Sequence, residues 1–360
     1  MVRFHKLKIS DIRKETADTV SIAFEIPATL KDDFAFQQGQ YLTLKAEIQG
    51  EEQRRSYSIC SAKGEAPRVA VKRVQGGIFS NFANNELHVG DELDVMPPMG
   101  KFYVPLDPTK QRNYMLFAAG SGITPIISIL KTILREEPLS RATLLYGNRS
   151  FSSIIFREEL EDLKDKYIGR FRLFNILSRE KSELELFSGH IDAAKCKTFF
   201  HSLADLSDFD EFFICGPESM ILSVQEFLSS SGILREKVHF ELFTSPRGTI
   251  SKEKGENQPN KEDQDKISNV RIVLDGTATE IELKYGGKSI LDAALEAGAD
   301  LPYSCKGGVC RTCIARLENG EVRMDANWAL EPGEVESGYI LTCQSHPTSG
   351  ACTVNYDVGG

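Results

Sequence analysis

The 360-residue chain has no long apolar run. Its most apolar window, Tyr114 to Leu130, is broken by Gly120, Gly122, Thr124 and Pro125 and falls short of the ~20 residues a membrane helix needs, so no membrane insertion is expected. Met1 to Glu15 carries scattered charges in place of a basic stretch followed by a hydrophobic one, so export is not expected and a cytoplasmic setting is. Positive charge is short: 43 Lys plus Arg against 52 Asp plus Glu leave a formal charge of -9. That balance excludes nucleic acid as a natural partner, because phosphate backbones call for a basic face. The six histidines show no metal-like spacing, and neither a carboxylate-bridged di-iron set nor a Rieske set can be assembled, so the chain should oxygenate nothing unaided. Internal repeats are absent. Without an export signal, the eight cysteines do not read as a disulfide framework.

What is present is enough apolar residue, 41%, to bury a sizeable core in about two or three domains. Arg247 to Lys266 holds ten charged residues in twenty, with Ile250 as its only large apolar side chain. Such a stretch cannot order itself by burial, and 247–267 reads as a flexible linker. Ahead of it the chain changes character near residue 106. Short runs such as Thr19 to Phe24, Tyr41 to Ala46, Arg68 to Val74 and Glu92 to Met96, separated by Gly and Pro, predict an antiparallel β-barrel over 1–106. Over 107–246, strand-like runs (Tyr114 to Ala119, Ala142 to Gly147, Phe171 to Ser178, Glu211 to Cys215) alternate with helix-like ones, which predicts a parallel sheet covered by helices. The tail, 268–360, resumes with strands at Val270 to Leu274 and Glu280 to Tyr285 and a helix from Ser289, a natural N-cap, stopped by Gly298. Its seven basic and thirteen acidic residues give it a charge of -6, suited to steering toward a basic surface or simply to solubility.

The cysteines carry the sharpest signal. Cys305-x4-Cys310-x2-Cys313, with Cys343 after twenty-nine intervening residues, is the spacing that holds a plant-type [2Fe-2S] cluster. Soft thiolates suit iron-sulfide cores, and Gly307 and Gly308 let backbone amides approach the sulfurs. A four-cysteine zinc site is the competing reading, but structural zinc favours two close pairs in sequence. Cys352, in an alternating stretch, reads as a packed thiol rather than a fifth ligand.

Two strand-to-helix junctions suit a dinucleotide. Gly120-Ser121-Gly122-Ile123-Thr124-Pro125 offers a tight turn, a cap at Thr124 and a proline at the start of a helix, where amides and the dipole favour a pyrophosphate. Cys215-Gly216-Pro217 follows the same logic at another strand end, and its thiol would sit where a nicotinamide meets its acceptor. A third junction, Tyr146 to Ser150, is where the adenosine ribose would be read. Arg149, Ser150 and Arg157 are there and no acid intervenes before Glu158, which favours the 2'-phosphate of NADPH, with NADH open. In the first domain, Arg54-Arg55-Ser56-Tyr57-Ser58 offers charge, aromatic surface and hydroxyls to a flavin, and Arg73 with Gly76-Gly77 and Ser80 offers a cation and a glycine turn to a pyrophosphate. A basic barrel strand explains the first set equally well.

Arg55-x-Tyr57-Ser58, Gly76-Gly77 with Ser80, Gly120-x-Gly122-x-Thr124-Pro125 and Cys215-Gly216-Pro217 stand in the order found in the ferredoxin-NADP reductase superfamily, which the chain resembles over nearly its whole length. With its C-terminal cysteines it is similar to oxygenase reductases in which a plant-type ferredoxin follows the flavin and nicotinamide domains, in particular those of ring-1,2-oxygenase (phenylacetyl-CoA epoxidase) systems. The resemblance implies three folds: the barrel, the α/β sheet and an α+β β-grasp ferredoxin domain. It implies FAD held by Arg55, Ser56, Tyr57, Ser58, Val71, Lys72, Arg73, Gly76, Gly77 and Ser80, and nicotinamide held by Gly120, Gly122, Thr124, Pro125, Arg149, Ser150, Cys215, Gly216 and Pro217. Ser58, Cys215, Glu241 and Phe243 would be the catalytic set, with Phe243, where many relatives carry tyrosine, shielding the flavin. The implied partner is a separate oxygenase component as electron acceptor. Electron counts agree: a nicotinamide gives two electrons, a [2Fe-2S] cluster takes one, and a flavin converts between them. A stand-alone diaphorase, a reductase for a Rieske- or desaturase-type enzyme, and a non-enzymatic redox sensor are the alternatives.

Overall fold

The computed structural model describes residues 3–182, 184–243 and 266–358. These form two compact units, one of Phe4–Leu242 and one C-terminal. Residues 247–265, most of the predicted linker, lie outside the described residues.

The first unit begins with β1 (His5–Thr16), β2 (Thr19–Glu25), β3 (Tyr41–Ile48), β4 (Glu51–Ser58), β5 (Arg68–Lys72), α1 (Ile78–Asn85) and β6 (Glu92–Val95). The strands form one antiparallel sheet ordered β4-β3-β6-β1-β2-β5. A bridge between Ile59 and Val69 joins its two outer segments, so the sheet curls into a barrel and loses its open edges. Ile9, Ile22, Phe24, Leu42, Leu44 and Val69 fill the interior. Sequence pattern does not mark β1, and of β4 it offers only Arg54 to Ser58 as a basic barrel strand. Both are dominated by charged and polar residues, and β4 takes its register from eight paired positions on β3.

The α/β part follows: β7 (Asn113–Ala119), α2 (Ile123–Glu136), β8 (Arg141–Asn148), α3 (Arg157–Lys166), β9 (Phe171–Leu177), α4 (Ala193–Ser202), β10 (Glu211–Cys215), α5 (Glu218–Ser230) and β11 (Val238–Glu241). The sheet is parallel, ordered β11-β10-β7-β8-β9. Tyr114 to Ala118 of the central β7 are wholly buried, because helices cover both faces and leave no polar side for alternation to show. One apolar cluster joins α2 and α3 to the sheet, and a second joins α4 and α5. The helix-like run from Ile154 to Lys166 forms a helix only from Arg157, after a 3-10 turn at Phe151–Ser153 and a left-handed Phe156 (φ 59°). Helix α4 carries no sequence signal. It is short, and the Asp192 carboxylate at its start accepts the Lys195 amide.

The second unit contains β12 (Ile267–Leu274), β13 (Thr277–Lys284), α6 (Ile290–Glu296), β14 (Ile314–Asn319), β15 (Val322–Met324), α7 (Pro332–Glu336), β16 (Tyr339–Leu341), β17 (Ser345–Pro347) and β18 (Ala351–Asn355). Five strands form a mixed sheet ordered β13-β12-β18-β14-β16, with β12 and β18 parallel, and β15 pairs with β17. Ile290, Leu291 and Ala294 of α6 pack into one core with Val270, Ile272 and Val354. The Ser289 hydroxyl caps α6 by accepting the Asp292 amide, and Gly298, at φ 88°, ends it, both as its sequence predicts. No helix among the described residues is long and apolar enough to cross a membrane.

Candidate functional site

Three of the four motif cysteines stand in the loop between α6 and β14, and Cys343 directly follows β16 and Thr342. The loop turns through left-handed positions at Lys306, Gly308 and Arg311 (φ 50°, 76° and 61°). At Gly308 a side chain is ruled out, since a Cβ would lie 2.9 Å from the Ala326 carbonyl oxygen. The thiols hydrogen-bond in two pairs, Cys305 with Cys310 and Cys313 with Cys343. The Cys310 hydrogen bond foremost, helped by amides and opposed by desolvation, pulls the Cys305 thiol down. Amides reach the sulfurs: Cys305 N donates to Cys310 Sγ (3.4 Å) and Gly307 N to Cys305 Sγ (3.3 Å). Gln344 Nε2 lies 3.7 Å from Cys343 Sγ and also donates to the carbonyls of Lys306 and Cys343 (both 3.0 Å). Among the described residues no group of three Cys, His, Asp or Glu is placed to hold a single metal ion. Two thiol pairs met by amide donors fit a two-iron core with two ligands on each iron, better than one zinc. Cys352 is buried on β18, its sulfur near Ser349 Oγ and the Glu321 carbonyl (both 3.4 Å), where packing accounts for it.

In the α/β part, β7 leads through a 3-10 turn at Gly120–Gly122 into α2. Gly122 presses on the end of β10: a Cβ would meet the Cys215 carbonyl oxygen at 2.1 Å. Tyr146 Oη donates to the Gly120 carbonyl at 3.0 Å and steadies the turn from β8. Thr124 does not cap the helix, since it lies in the second helical position with Pro125 in the third, and its hydroxyl donates to the Ser121 carbonyl (3.0 Å). No side chain caps α2, nor α5, which starts after Gly216 and Pro217, whereas Asp192 and Ser289 cap α4 and α6. Their N-terminal amides and dipoles, following the adjacent strands β7 and β10, are suited to a pyrophosphate. Arg149 is exposed just beyond β8, and Ser150 forms a capping box with Ser153. The Arg157 guanidinium lies 4.6 Å over the exposed Phe151 ring. Cys215 is wholly buried within the core, and burial pushes its thiol well above the ordinary range.

On the barrel, β4 carries Arg55, exposed and donating to the Arg54 carbonyl (2.6 Å) and Gln53 Oε1 (3.1 Å). Ser56 shares a hydrogen bond with Thr43 (3.1 Å), and the half-buried Tyr57 ring packs 5.7 Å from Phe79. Past β4 in space, β5 holds the buried Val71 and also Lys72, which is paired with Asp18 at 3.7 Å; Arg73 follows, exposed. Gly76, at φ 73°, faces open space, and Gly77 begins α1 so tightly that a Cβ would lie 2.6 Å from Ser80 Oγ. The Ser80 hydroxyl accepts the Val74 amide at 3.1 Å and so holds the turn shut. An exposed cation, an open glycine and an uncapped α1 fit a phosphate here. One tie between the two halves of this unit is Ser58 Oγ, which donates to Glu241 Oε2 at 3.2 Å across 183 residues of sequence. Burial pushes the Glu241 carboxyl up to about 8, with the Ser58 hydrogen bond pulling slightly the other way. Phe243, two residues past β11, is 39% exposed.

A curled antiparallel barrel, a parallel sheet with uncapped helix starts, and a loop of paired thiols define a flavin- and pyridine-nucleotide-linked iron-sulfur reductase. Residues 6–103 match the family described as "Oxidoreductase FAD-binding domain", 116–226 "Oxidoreductase NAD-binding domain" and 272–348 "2Fe-2S iron-sulfur cluster binding domain". The chain is 42% identical to one of the subunits of 1,2-phenylacetyl-CoA epoxidase from Escherichia coli (strain K12), over 100% of its own length and 99% of the relative's. It is 34% identical to the ferredoxin reductase component of 3-ketosteroid-9-alpha-monooxygenase from Rhodococcus rhodochrous, over 95% and 94% of the two chains. In fold it is similar to phthalate dioxygenase reductase, with a TM-score of 0.56, 24% identity and 98% of each chain covered. The chain belongs to the ferredoxin-NADP reductase-like oxidoreductases that carry a C-terminal [2Fe-2S] domain.

Proposed function

We propose that this chain is the reductase of a two-part oxygenase system, taking electrons from NADPH and delivering them to an oxygenase component of the phenylacetyl-CoA epoxidase type. The observation that carries this reading is the end-to-end 42% identity with a protein of the phenylacetyl-CoA epoxidase system, together with four paired thiols in the last unit. When bound, a flavin exchanges electrons in twos or ones and a [2Fe-2S] cluster in ones. Arg55, Ser56, Tyr57, Ser58, Val71, Lys72, Arg73 and the Gly76 to Ser80 turn would hold the flavin; Gly120, Gly122, Thr124, Pro125, Gly216 and Pro217 the dinucleotide phosphates; and Cys305, Cys310, Cys313 and Cys343 the cluster. Ser58 and the protonated Glu241 would line the reacting end with neutral groups, which keeps a buried charge away from the nicotinamide. Cys215 would shape that end through backbone and bulk, and Phe243 would cover the flavin face. Arg149, Ser150 and Arg157 would select the 2'-phosphate. Domain boundaries at 106/107, 246/247 and 267/268 go with this reading, as does a reducing setting, the cytoplasm, for a chain whose thiolates would hold an iron-sulfur cluster.

The test is reconstitution. Purified protein, with flavin, iron and sulfide quantified, should reduce cytochrome c with NADPH in preference to NADH, and should support epoxidation of phenylacetyl-CoA when mixed with that oxygenase. Reduction of cytochrome c with no epoxide formed would leave a reductase for a different acceptor, the steroid monooxygenase relative giving the next candidate.

A further inference from the structure

Arg311 stands between two of the motif cysteines, one residue after Cys310 and two before Cys313, at φ 61°. That region is unfavourable for a residue with a Cβ, and a glycine would occupy it without strain. Something must favour arginine there, and its side chain shows what. Arg311 Nη1 and Nη2 donate to the two oxygens of Glu334 at 2.7 and 2.8 Å, and Nη1 also donates to the Ala329 carbonyl at 2.7 Å. The two side chains are 13% and 18% exposed, so the pair is largely withdrawn from water, where such a fork is strongest. Glu334 is itself fixed by α7, whose capping box it forms with Glu331. Through α7 the chain runs into β16 and on to Cys343, so the fork ties the loop of three cysteines to the segment that leads to the fourth.

We infer that Arg311 and Glu334 form a charge-balanced clamp that positions the cysteine loop and keeps either charge alone from shifting the potential of the cluster it holds. The inference rests on the cluster reading above. Its physical content is a sign. Reduction adds a negative charge to the cluster, so a nearby cation left without its carboxylate stabilises the reduced form, and a carboxylate left without its cation disfavours it. In the intact pair the two effects largely cancel. Arg311 and Glu334 are positioning residues, since neither is among the four thiols.

The test is a redox titration of the full-length protein, followed by visible absorbance and EPR, after iron and sulfide have been measured. Glu334→Gln should raise the midpoint and Arg311→Gly should lower it, each by a threefold to tenfold change in the oxidised-to-reduced ratio, that is up to about 59 mV for a one-electron couple. The Arg311→Gly/Glu334→Gln double variant should return close to the parent. Should Arg311→Gly not keep its cluster, Arg311→Lys, which retains the charge, should stay near the parent, and adding Glu334→Gln to it should again move the midpoint upward. Shifts of one sign in all variants, or none in loaded protein, would overturn the inference. A parent protein without iron and sulfide would instead overturn the cluster reading on which it stands.

Discussion

Glu241 makes the stability of the flavin-binding unit depend on pH in a direction opposite to that of most carboxylates. Its carboxyl is pushed from an ordinary 4.5 to about 8, so between those values the folded state holds a proton that the unfolded chain gives up. Stability is therefore fully present below 4.5 and is lost as pH rises through 8. At about 1.36 kcal/mol per pH unit the full effect is bounded at ~5 kcal/mol. Part of the residue keeps solvent contact, which brings a realistic figure to ~2–3 kcal/mol for a carboxyl that can relax toward water. Glu241→Gln keeps the shape and the acceptor for Ser58 while removing the ionisation. At pH 6 the variant and the parent should melt within a degree or two of each other, and at pH 9.5 the variant should be the more stable by about 5–10 °C for a unit of this size. Calorimetry at both pH values, with FAD at one fixed concentration, measures the difference. An equal gap at the two pH values, or a variant weaker than the parent at pH 9.5, would refute the placing of a neutral carboxyl beside Ser58.

Cys310→Ser should abolish the iron-sulfur absorbance and electron delivery to cytochrome c while leaving NADPH-dependent reduction of a two-electron dye within about twofold of the parent, as a paired-activity assay would show. Gly122→Ala should cost several kcal/mol or prevent folding, because its Cβ would fall 2.1 Å from the Cys215 carbonyl oxygen, and a melting curve with NADPH titration reads this directly. Arg149→Glu combined with Arg157→Glu should weaken NADPH binding by about tenfold or more and change NADH binding far less; dissociation constants for both nucleotides check it, and equal weakening would locate those arginines away from the 2'-phosphate.

The parts of this molecule legible in the sequence are those whose chemistry is local. Cysteine spacing identified the four thiols, the run from Tyr114 to Ala118 identified a strand buried on both faces, and Ser289 and Gly298 bracketed a helix. Only the Arg54 to Ser58 part of β4 reads as a strand, because its partner rather than its own pattern holds it, and α4 escapes because one side-chain cap is a weak signal in ten residues. The Thr124-Pro125 pair misplaces the helix start by two residues, since α2 begins at Ile123 directly after the 3-10 turn at Gly120–Gly122. Contacts across large separations were out of reach. Ser58 and Glu241 are 183 residues apart, and only the family resemblance suggested that both serve one site. Arg311 was visible inside the cysteine motif, yet nothing near it in sequence points to Glu334, twenty-three residues on. Nothing in the sequence beside Cys343 signals that the Gln344 amide spans the carbonyls of Lys306 and Cys343.

Two glutamates in the same unit show how surroundings separate a structural carboxylate from a chemical one. Glu137 is wholly buried at the end of α2, and it collects donors: Tyr114 Oη at 2.8 Å, Ser140 Oγ at 2.7 Å, the Asp107 amide at 2.9 Å, and Arg112 at 3.7 Å. These partners come from β7, the turn after α2 and the segment that leads into β7, so Glu137 fastens that segment and the end of α2 to the sheet. Removing any one donor would still leave a buried group with several others, and the loss would register as stability alone. Glu241 has the Ser58 hydroxyl and a desolvated carboxyl pushed up to about 8. A group so sparsely served changes its protonation near neutral pH, which is the property that chemistry can use and that a purely structural tie would avoid. The number of donors each one gathers separates the glutamate that holds the fold from the one that answers to what binds beside it.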